Sequence, residues 1–350
     1  MKPLPLLSLT LLFAGCTCPF RQSHTQAYPK NQPIQQIADN AADSAMASLH
    51  PKRMAVIVAE PKTGKILAIT GRRAGSAAPS DDAVSWIYEP GSTFKPVVAV
   101  AALQEGAITP KTKINCENGA FKVAGQTIRD HTGSGDLTYD QILTKSSNIG
   151  ASKMALMLKD SVYYDYMHRF GFGQRTGIAL VGEDAGVVMA PSRWDALSKV
   201  RMAFGQSVAV TPIQLTMAYC AIANGGVLMK PRTGDEQPAV VTRVCSAKTA
   251  NAVKKALQGT VSPAGTAPLA HVDGVTVGGK TGTSQALSPH FLYEPDKFTT
   301  SFAGFFPVEK PKYVIVVVVD QADLKPEQNY GGLVAAPIFA EIAGKISKLH

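Results

Sequence analysis

The sequence predicts an α+β fold in which an antiparallel sheet is flanked by N- and C-terminal helices and carries an inserted all-helical subdomain. Three observations predict it. Strand-type runs stand towards both ends of the chain, "MAVIVAEPKTGKILAIT" at 54–70 and then "FTTSFAGFFP" and "KYVIVVVVDQ" at 298–307 and 312–321. The long stretch between them is mostly helical in pattern. A last apolar-periodic helix over about 333–347 closes the chain.

In chain order, Lys2, Pro3 and Pro5 lead into an apolar stretch from Leu6 to Phe13, broken by Ser8 and Thr10 and followed by Ala14-Gly15-Cys16. A charged start, a short apolar run and small residues describe a secretory signal. The run is far below the ~20 residues that span a bilayer. Small residues directly before a cysteine resemble a bacterial lipobox, although Phe13 stands where that motif usually has Leu. Residues 1–15 are therefore expected to be a lipoprotein-type signal peptide, with Cys16 the lipidation site and membrane anchor of an exported protein; the alternative is an ordinary signal peptide cleaved nearby. Residues 16–48 are rich in Gln, Ser, Pro, Asn and Ala and read as a flexible tether. The catalytic domain is expected over 49–350.

Within that domain, Pro61-Lys62-Thr63-Gly64-Lys65 between two β-type runs is a hairpin signature. Residues 92–105, "STFKPVVAVAALQE", read as a helix with Ser92 near its start, and Pro96 falls where the first turn tolerates a missing N–H. Further helices are expected over 139–160, 191–202 and 212–223, the last closed by Asn224-Gly225-Gly226. "DGVTVGG" at 273–279 returns to strand, and the two runs after it join at Val308-Glu309-Lys310-Pro311. "VIVVVVD" is continuous rather than alternating, which suits a central strand buried on both faces. No internal repeat is visible.

Thirty-five Lys and Arg against 26 Asp and Glu leave a formal charge of +9. That excess suits an anionic surface, but no zinc knuckle, RGG run or aromatic-interleaved basic stretch accompanies it, so nucleic acid is not expected as a partner. A solvated basic surface is the simpler reading. Beyond Cys16, the cysteines Cys18, Cys116, Cys220 and Cys245 are widely spaced with no CxxC pair. Cys220 reads as a small buried apolar residue. Seven histidines show no HExxH or clustered spacing, so neither metal nor other cofactor is expected. His131 in "RDHTGSG" is either a cleft-entrance residue or a surface hydrogen-bonding group, and Trp86 and Trp194 read as packing anchors.

"GVTVGGKTGTS", 274–284, fits two functional patterns. Gly274-x-x-x-x-Gly279-Lys280-Thr281 matches a phosphate-cradling loop, and "VIVVVVD" ending at Asp320 imitates the strand whose carboxylate helps to hold Mg²⁺ there. Such a loop needs a helix directly after Lys-Thr, because the helix N-terminus supplies the anion-binding amides. Gly282, Thr283, Ser284 and Pro289 follow instead. Lys280-Thr281-Gly282 on a strand edge is alternatively the third motif of a serine acyl-transferase. Two other motifs support that reading. In "EPGSTFKP", Ser92 and Lys95 are three apart at a helix start, so both side chains lie on one face. A serine hydroxyl needs a base, and lysine serves only if desolvation or a neighbouring cation, for which Lys280 is available, lowers its pKa. In "TKSSNIG", Ser146 and Asn148 are two apart, in a setting where a helix cap is the ordinary explanation. SxxK, SxN and KTG, about 50 and then about 130 residues apart, form the set shared by β-lactamases and penicillin-binding proteins.

The chain resembles the transpeptidase domain of class B penicillin-binding proteins, members of the penicilloyl serine transferase or β-lactamase-like superfamily. The resemblance runs from about residue 50 to the end. It is carried by "WIYEPGSTFKP", "SSNIGASKMA", "GEDAGVVMAPSRW", "AFGQSVAVTPIQLTMAYCAIANGG", "VGGKTGTSQ" and "YGGLVAAPIF". It implies a peptidoglycan D,D-transpeptidase in which the D-Ala-D-Ala end of a stem peptide acylates Ser92 and Lys95 takes the Ser92 proton. Ser146, next to Lys280, would relay a proton to the leaving amine, and Asn148 would position the substrate amide. Backbone amides of Ser92 and Thr283 would form the oxyanion hole, while Thr281, Gly282 and Thr283 of the third motif line the substrate site and the two hydroxyls, with Lys280, hold the substrate carboxylate. β-Lactams would acylate Ser92 as inhibitors. Partners implied are the stem peptides, the membrane through Cys16, and other cell-wall synthesis proteins.

Three departures from the family stand out: no room for a transmembrane helix and pedestal domain before residue 49, a short stretch between "LAIT" and "AVSW", and Asp81-Asp82 where Asn-Arg is common. The missing pedestal bears on a glycosyltransferase partnership rather than on chemistry. Rival readings are a D,D-carboxypeptidase, which differs only in using water as acceptor, and a class D-like β-lactamase, which usually has Ser-x-Val as its middle motif. A P-loop protein and a non-catalytic wall scaffold are more remote.

Overall fold

A computed structural model describes residues 32–287 and 292–349. Its frame is a five-stranded antiparallel sheet of β1 (Arg53–Glu60), β2 (Lys65–Arg73), β3 (Gly278–Leu287), β4 (Tyr293–Phe306) and β5 (Tyr313–Asp320), in the spatial order β2-β1-β5-β4-β3. The first two and last three strands are joined across some 200 residues of mostly helical chain. The fold class is the one the sequence predicts. Gly64, at φ 70°, lets the β1–β2 hairpin turn where an L side chain would be strained.

β5 sits in the centre, with Val317 opposite both Val56 of β1 and Phe302 of β4. Its continuous apolar run is sorted by the period of two. Val314, Val316 and Val318 enter a core shared with the helical lobe. Ile315, Val317 and Val319 enter a second core, under the terminal helices α1 (Gln32–Leu49) and α8 (Ala335–Ser347). A strand with both faces covered has no solvent side on which to alternate.

Residues 32–48 correct the expected tether. They form most of α1, whose buried residues Ile34, Ala38, Ala41, Ala42 and Ala45 recur at helical spacing. The small side chains let the helix approach the sheet closely. The Gln35 amide accepts from the Ile69 N–H at 3.0 Å and donates to the Ile69 carbonyl at 3.3 Å, so it covers the backbone of edge strand β2. Arg72 of β2 reaches Asp39 and Asp43 of the helix. The signal over 1–15, Cys16 and Cys18 lie outside the described residues.

The helical lobe differs in detail from its sequence-based outline. The expected 92–105 helix is a 3₁₀ turn, Gly91–Phe94, followed by α2 (Lys95–Gln104), with Pro96 in its first turn. The expected 139–160 helix is α3 (Tyr139–Lys145) and α4 (Asn148–Leu156), with α5 (Asp160–Arg169) after it. Ser146 ends α3 in the left-handed conformation, φ 58°, and Ser147 caps α4 by accepting the Gly150 N–H. Residues 191–202 are a 3₁₀ turn and a five-residue helix, while α6 (Pro212–Ala223) has the predicted bounds and ends at Asn224. The helix α7 (Ala247–Gln258) completes this layer. Cys116, Cys220 and Cys245 are buried free thiols.

Candidate active site

The turn that carries Ser92 is held from three sides. Thr93 donates its hydroxyl to the Pro90 carbonyl at 2.7 Å, and Tyr219 of α6 donates to the Thr93 carbonyl at 2.9 Å. The Gly91 N–H donates to the Gly205 carbonyl. Gly91 has φ 56°, and a Cβ there would stand 2.7 Å from the Thr283 carbonyl oxygen, so the turn leans directly on β3. Gly282 answers it from the strand, where a Cβ would lie 2.6 Å from the Pro90 carbonyl oxygen. Two glycines therefore set how closely nucleophile turn and edge strand approach.

Lys95, one helical turn after Ser92, is fully buried, while Ser92, Ser146 and Asn148 are half-buried. Its Nζ lies 2.9 Å from Ser92 Oγ, 3.0 Å from Ser146 Oγ, 2.5 Å from the Ser146 carbonyl and 2.7 Å from Asn148 Oδ1. Burial lowers its pKa to about 7, against an opposing pull from Asp130. The left-handed Ser146 is what directs both its carbonyl and its hydroxyl at one amine. The structure thus gathers Ser92, Lys95, Ser146 and Asn148 around a single nitrogen.

Lys280 is fully buried on β3, paired with Ala303 of β4. Its Nζ has only long contacts, 3.3 Å to Thr281 Oγ1 and 3.4 Å to the Thr281 carbonyl. Burial first, then the charge of Lys95, pushes its pKa well below the usual lysine range. Burial rather than Lys280 is thus the leading cause of the Lys95 shift, and two ammonium groups this deep oppose one another. Thr281 Oγ1 shares a hydrogen bond with Thr266 Oγ1 at 2.8 Å. Thr283 Oγ1 accepts the Gly331 N–H at 3.1 Å and keeps its own proton to give.

The chain after Lys280 stays in strand to Leu287, so the helix a phosphate loop requires is absent from 281–287. Asp320 is spent on Arg53, at 3.1 Å, and on Thr299, at 2.9 Å. The nucleotide reading ends there.

Two groups escaped the sequence reading. Glu89, buried at 6 % exposure, accepts the Ser207 N–H at 2.7 Å and the Tyr293 hydroxyl at 3.1 Å, and its carbonyl accepts Ser284 Oγ at 2.8 Å. It ties the nucleophile turn to the 205–207 loop and to both strands of the β3–β4 hairpin. Asp130 grips the SxN turn from outside. Their only sequence signal is a carboxylate next to a motif in one case and sixteen residues before one in the other. His131 is exposed, with its ring centroid 6.0 Å from that of Tyr330, which precedes Gly331. Trp86 is buried beneath Arg53, and Trp194 donates to the Met189 carbonyl, as packing anchors.

Over residues 54–344 the sequence matches the family described as "Penicillin binding protein transpeptidase domain". The chain belongs to this family. Its class B character agrees with its relatives. It is 32% identical over 325 residues to the probable peptidoglycan D,D-transpeptidase PenA of Neisseria flavescens, covering 89% of this chain and 79% of that one. Among solved structures it resembles the transpeptidase domain of penicillin-binding protein 3 from Burkholderia pseudomallei, with a TM-score of 0.84 at 32% identity over 95% of this chain and 98% of that one. It also resembles penicillin-binding protein 3 from Mycobacterium tuberculosis complexed with aztreonam, with a TM-score of 0.81 at 31% identity over 90% and 77% of the two chains. The chain spans about half the length of other curated relatives, 51% of one and 53% of another. The family's three short motifs are the ones that meet around Lys95 and Lys280.

Proposed function

We propose that the chain is a peptidoglycan D,D-transpeptidase that cross-links stem peptides through a Ser92 acyl-enzyme, and that β-lactams acylate the same oxygen. The observation that carries the reading is the contact of a fully buried Lys95 Nζ with Ser92 Oγ at 2.9 Å. A neutral lysine has two N–H bonds and one lone pair. The Ser146 carbonyl and Asn148 Oδ1 can only accept and take the two N–H bonds, which leaves the one lone pair for one hydroxyl at a time, Ser92 at 2.9 Å or Ser146 at 3.0 Å.

Ser92 Oγ attacks the carbonyl carbon of the penultimate D-Ala, and its proton passes to Lys95 Nζ. The oxyanion forms between the backbone amides of Ser92 and Thr283, the arrangement usually worth most in acyl transfer. As the C–N bond breaks, Ser146 passes its proton to the departing D-Ala amine and takes in its place the proton held on Lys95, 3.0 Å away. Asn148 orients the donor amide. Thr283 and Lys280, with Thr281 beside them, hold the terminal carboxylate. An amine of a second stem peptide then attacks the ester, forms the cross-link and frees Ser92.

Such substrates lie outside the cytoplasm. The expected signal over 1–15 and a lipid on Cys16 would place the chain there, attached to a membrane. No helix among the described residues is long and apolar enough to cross one. Other wall-synthesis proteins are the expected partners of an enzyme that acts on their product.

The test is incubation with a stem-peptide donor ending in D-Ala-D-Ala, with and without an acceptor amine. Cross-linked product together with released D-Ala is the expected result. Release of D-Ala with no cross-link under any acceptor would give the D,D-carboxypeptidase reading instead. Rapid turnover of β-lactam would give the class D-like β-lactamase.

A further inference from the structure

Among the described residues Lys95 has no carboxylate partner: its four contacts are all neutral oxygens. Once it takes the Ser92 proton, a full positive charge sits on a fully buried side chain, and such a charge is costly unless balanced. The charge of Lys95 in turn helps to push the Lys280 pKa down, so the two amines act against one another. Cys116 approaches from the other side, its Sγ 3.4 Å from Ser147 Oγ, and burial keeps its thiol protonated. Arg129 and His131 flank the same loop and are exposed. Asp130 is the carboxylate whose field acts on Lys95 in the opposite sense.

Asp130 is also built into the motif. Its Oδ2 accepts the Ser147 hydroxyl at 2.6 Å and its Oδ1 accepts the Ile149 N–H at 3.0 Å. The preceding carbonyl, of Arg129, accepts Asn148 Nδ2 at 2.9 Å. Residues 129 and 130 therefore hold three consecutive residues, 147 to 149, and with them the left-handed Ser146. A conformation that L residues rarely adopt persists where its surroundings over-determine it.

We propose that Asp130 is a third member of the Ser92–Lys95 apparatus, a positioning residue that fixes the Ser146–Asn148 turn and balances the ammonium formed on Lys95 during acylation. This rests on the acyl-enzyme reading above. In the step concerned, the Ser92 O–H bond breaks and its proton moves to Lys95 Nζ, while Ser92 Oγ bonds to the carbonyl carbon of the donor peptide or β-lactam and the C=O π pair moves onto oxygen as the oxyanion. No other reactant is needed. Asp130 exchanges no proton and acts through its charge and through Ser147.

The experiment is the rate of acylation by benzylpenicillin from pH 5 to 9 in the full chain, compared with Asp130→Asn and Ser147→Ala. Asp130→Asn keeps size and an acceptor for the Ile149 N–H, while its amide faces Ser147 Oγ. Removing the charge is expected to move the midpoint of the profile down by ~0.5–1 pH unit and to lower the plateau roughly tenfold. Ser147→Ala removes the grip and keeps the charge, so it should lower the plateau with the midpoint in place. If Asp130→Asn fails to fold, Asp130→Ser, which can still accept from Ile149, carries the same expectation. An unshifted midpoint in the charge-removing variant, with normal wild-type acylation, overturns the proposal for Asp130 alone. A wild-type chain that is not acylated at any pH overturns the acyl-enzyme reading and this inference with it.

Discussion

Lys95 Nζ is offered four oxygens, yet the neutral amine can donate to only two. In the proposed acyl-enzyme mechanism the surplus is what makes it a base, because the two obligate acceptors orient the lone pair towards hydroxyls. With its proton bound at about 7, acylation is expected to rise with pH around neutrality and level off above it. Substituting Lys95 by Met should cost about 10²–10⁴-fold in acylation rate, read from the same time courses. The shift also has a stability consequence. Between about 7 and 10.5 the unfolded chain carries a proton on Lys95 that the folded chain lacks, so stability rises with pH across that window. Urea midpoints at pH 7.5 and 9 should climb in the wild type and climb less in Lys95→Met; equal slopes would contradict the depressed value. The gathering of Ser92, Ser146 and Asn148 around Lys95 was legible, because SxxK and SxN are short and local. Asp130 and Glu89 were not, since a carboxylate that works by facing a distant residue leaves no pattern along the chain.

Between Lys145 and Asn148 the chain passes from one helix to the next in two residues. Periodicity alone reads straight through that break, since apolar residues on both sides keep helical spacing. The break is the functional part, because only a left-handed Ser146 aims carbonyl and hydroxyl together. Ser146→Gly should keep stability within about 1 kcal/mol, glycine being at ease at φ 58°. It should nonetheless lower acylation strongly, and a thermal melt beside a rate measurement separates the two effects. The nucleophile turn and β3 form a second such element. Gly91→Ala would drive a Cβ to within 2.7 Å of the Thr283 carbonyl oxygen at a φ of 56°. Turn and strand must then part, and with them the two amides proposed to hold the oxyanion. An acylation loss of about 10²-fold or more is expected, in line with losing one oxyanion donor.

Two cores share one sheet, and each depends on a different part of the chain. The core towards the helical lobe underlies the site. The other is closed by α1 and α8, and α1 is the element that the sequence reading assigned to a tether. Its buried face is mostly alanine, which contributes a weak hydrophobic signal among many Gln, Asn, Asp and Ser. The strand runs, the central place of β5 and the helical insertion were legible because continuous apolar runs and turn residues are strong signals. Covering of the β2 edge by Gln35 was not, since it depends on a tertiary meeting of two segments. Gln35→Ala leaves the Ile69 amide and carbonyl without these partners and should cost about 1–2 kcal/mol in a urea titration. A larger consequence concerns the reaction as a whole. Intact mass after incubation with benzylpenicillin shows whether Ser92 is a nucleophile activated by Lys95. A lasting adduct of one penicilloyl group on the wild type, absent from Ser92→Ala, is the predicted result. A folded wild type that gains no mass, or a Ser92→Ala variant that gains the same mass, would contradict it.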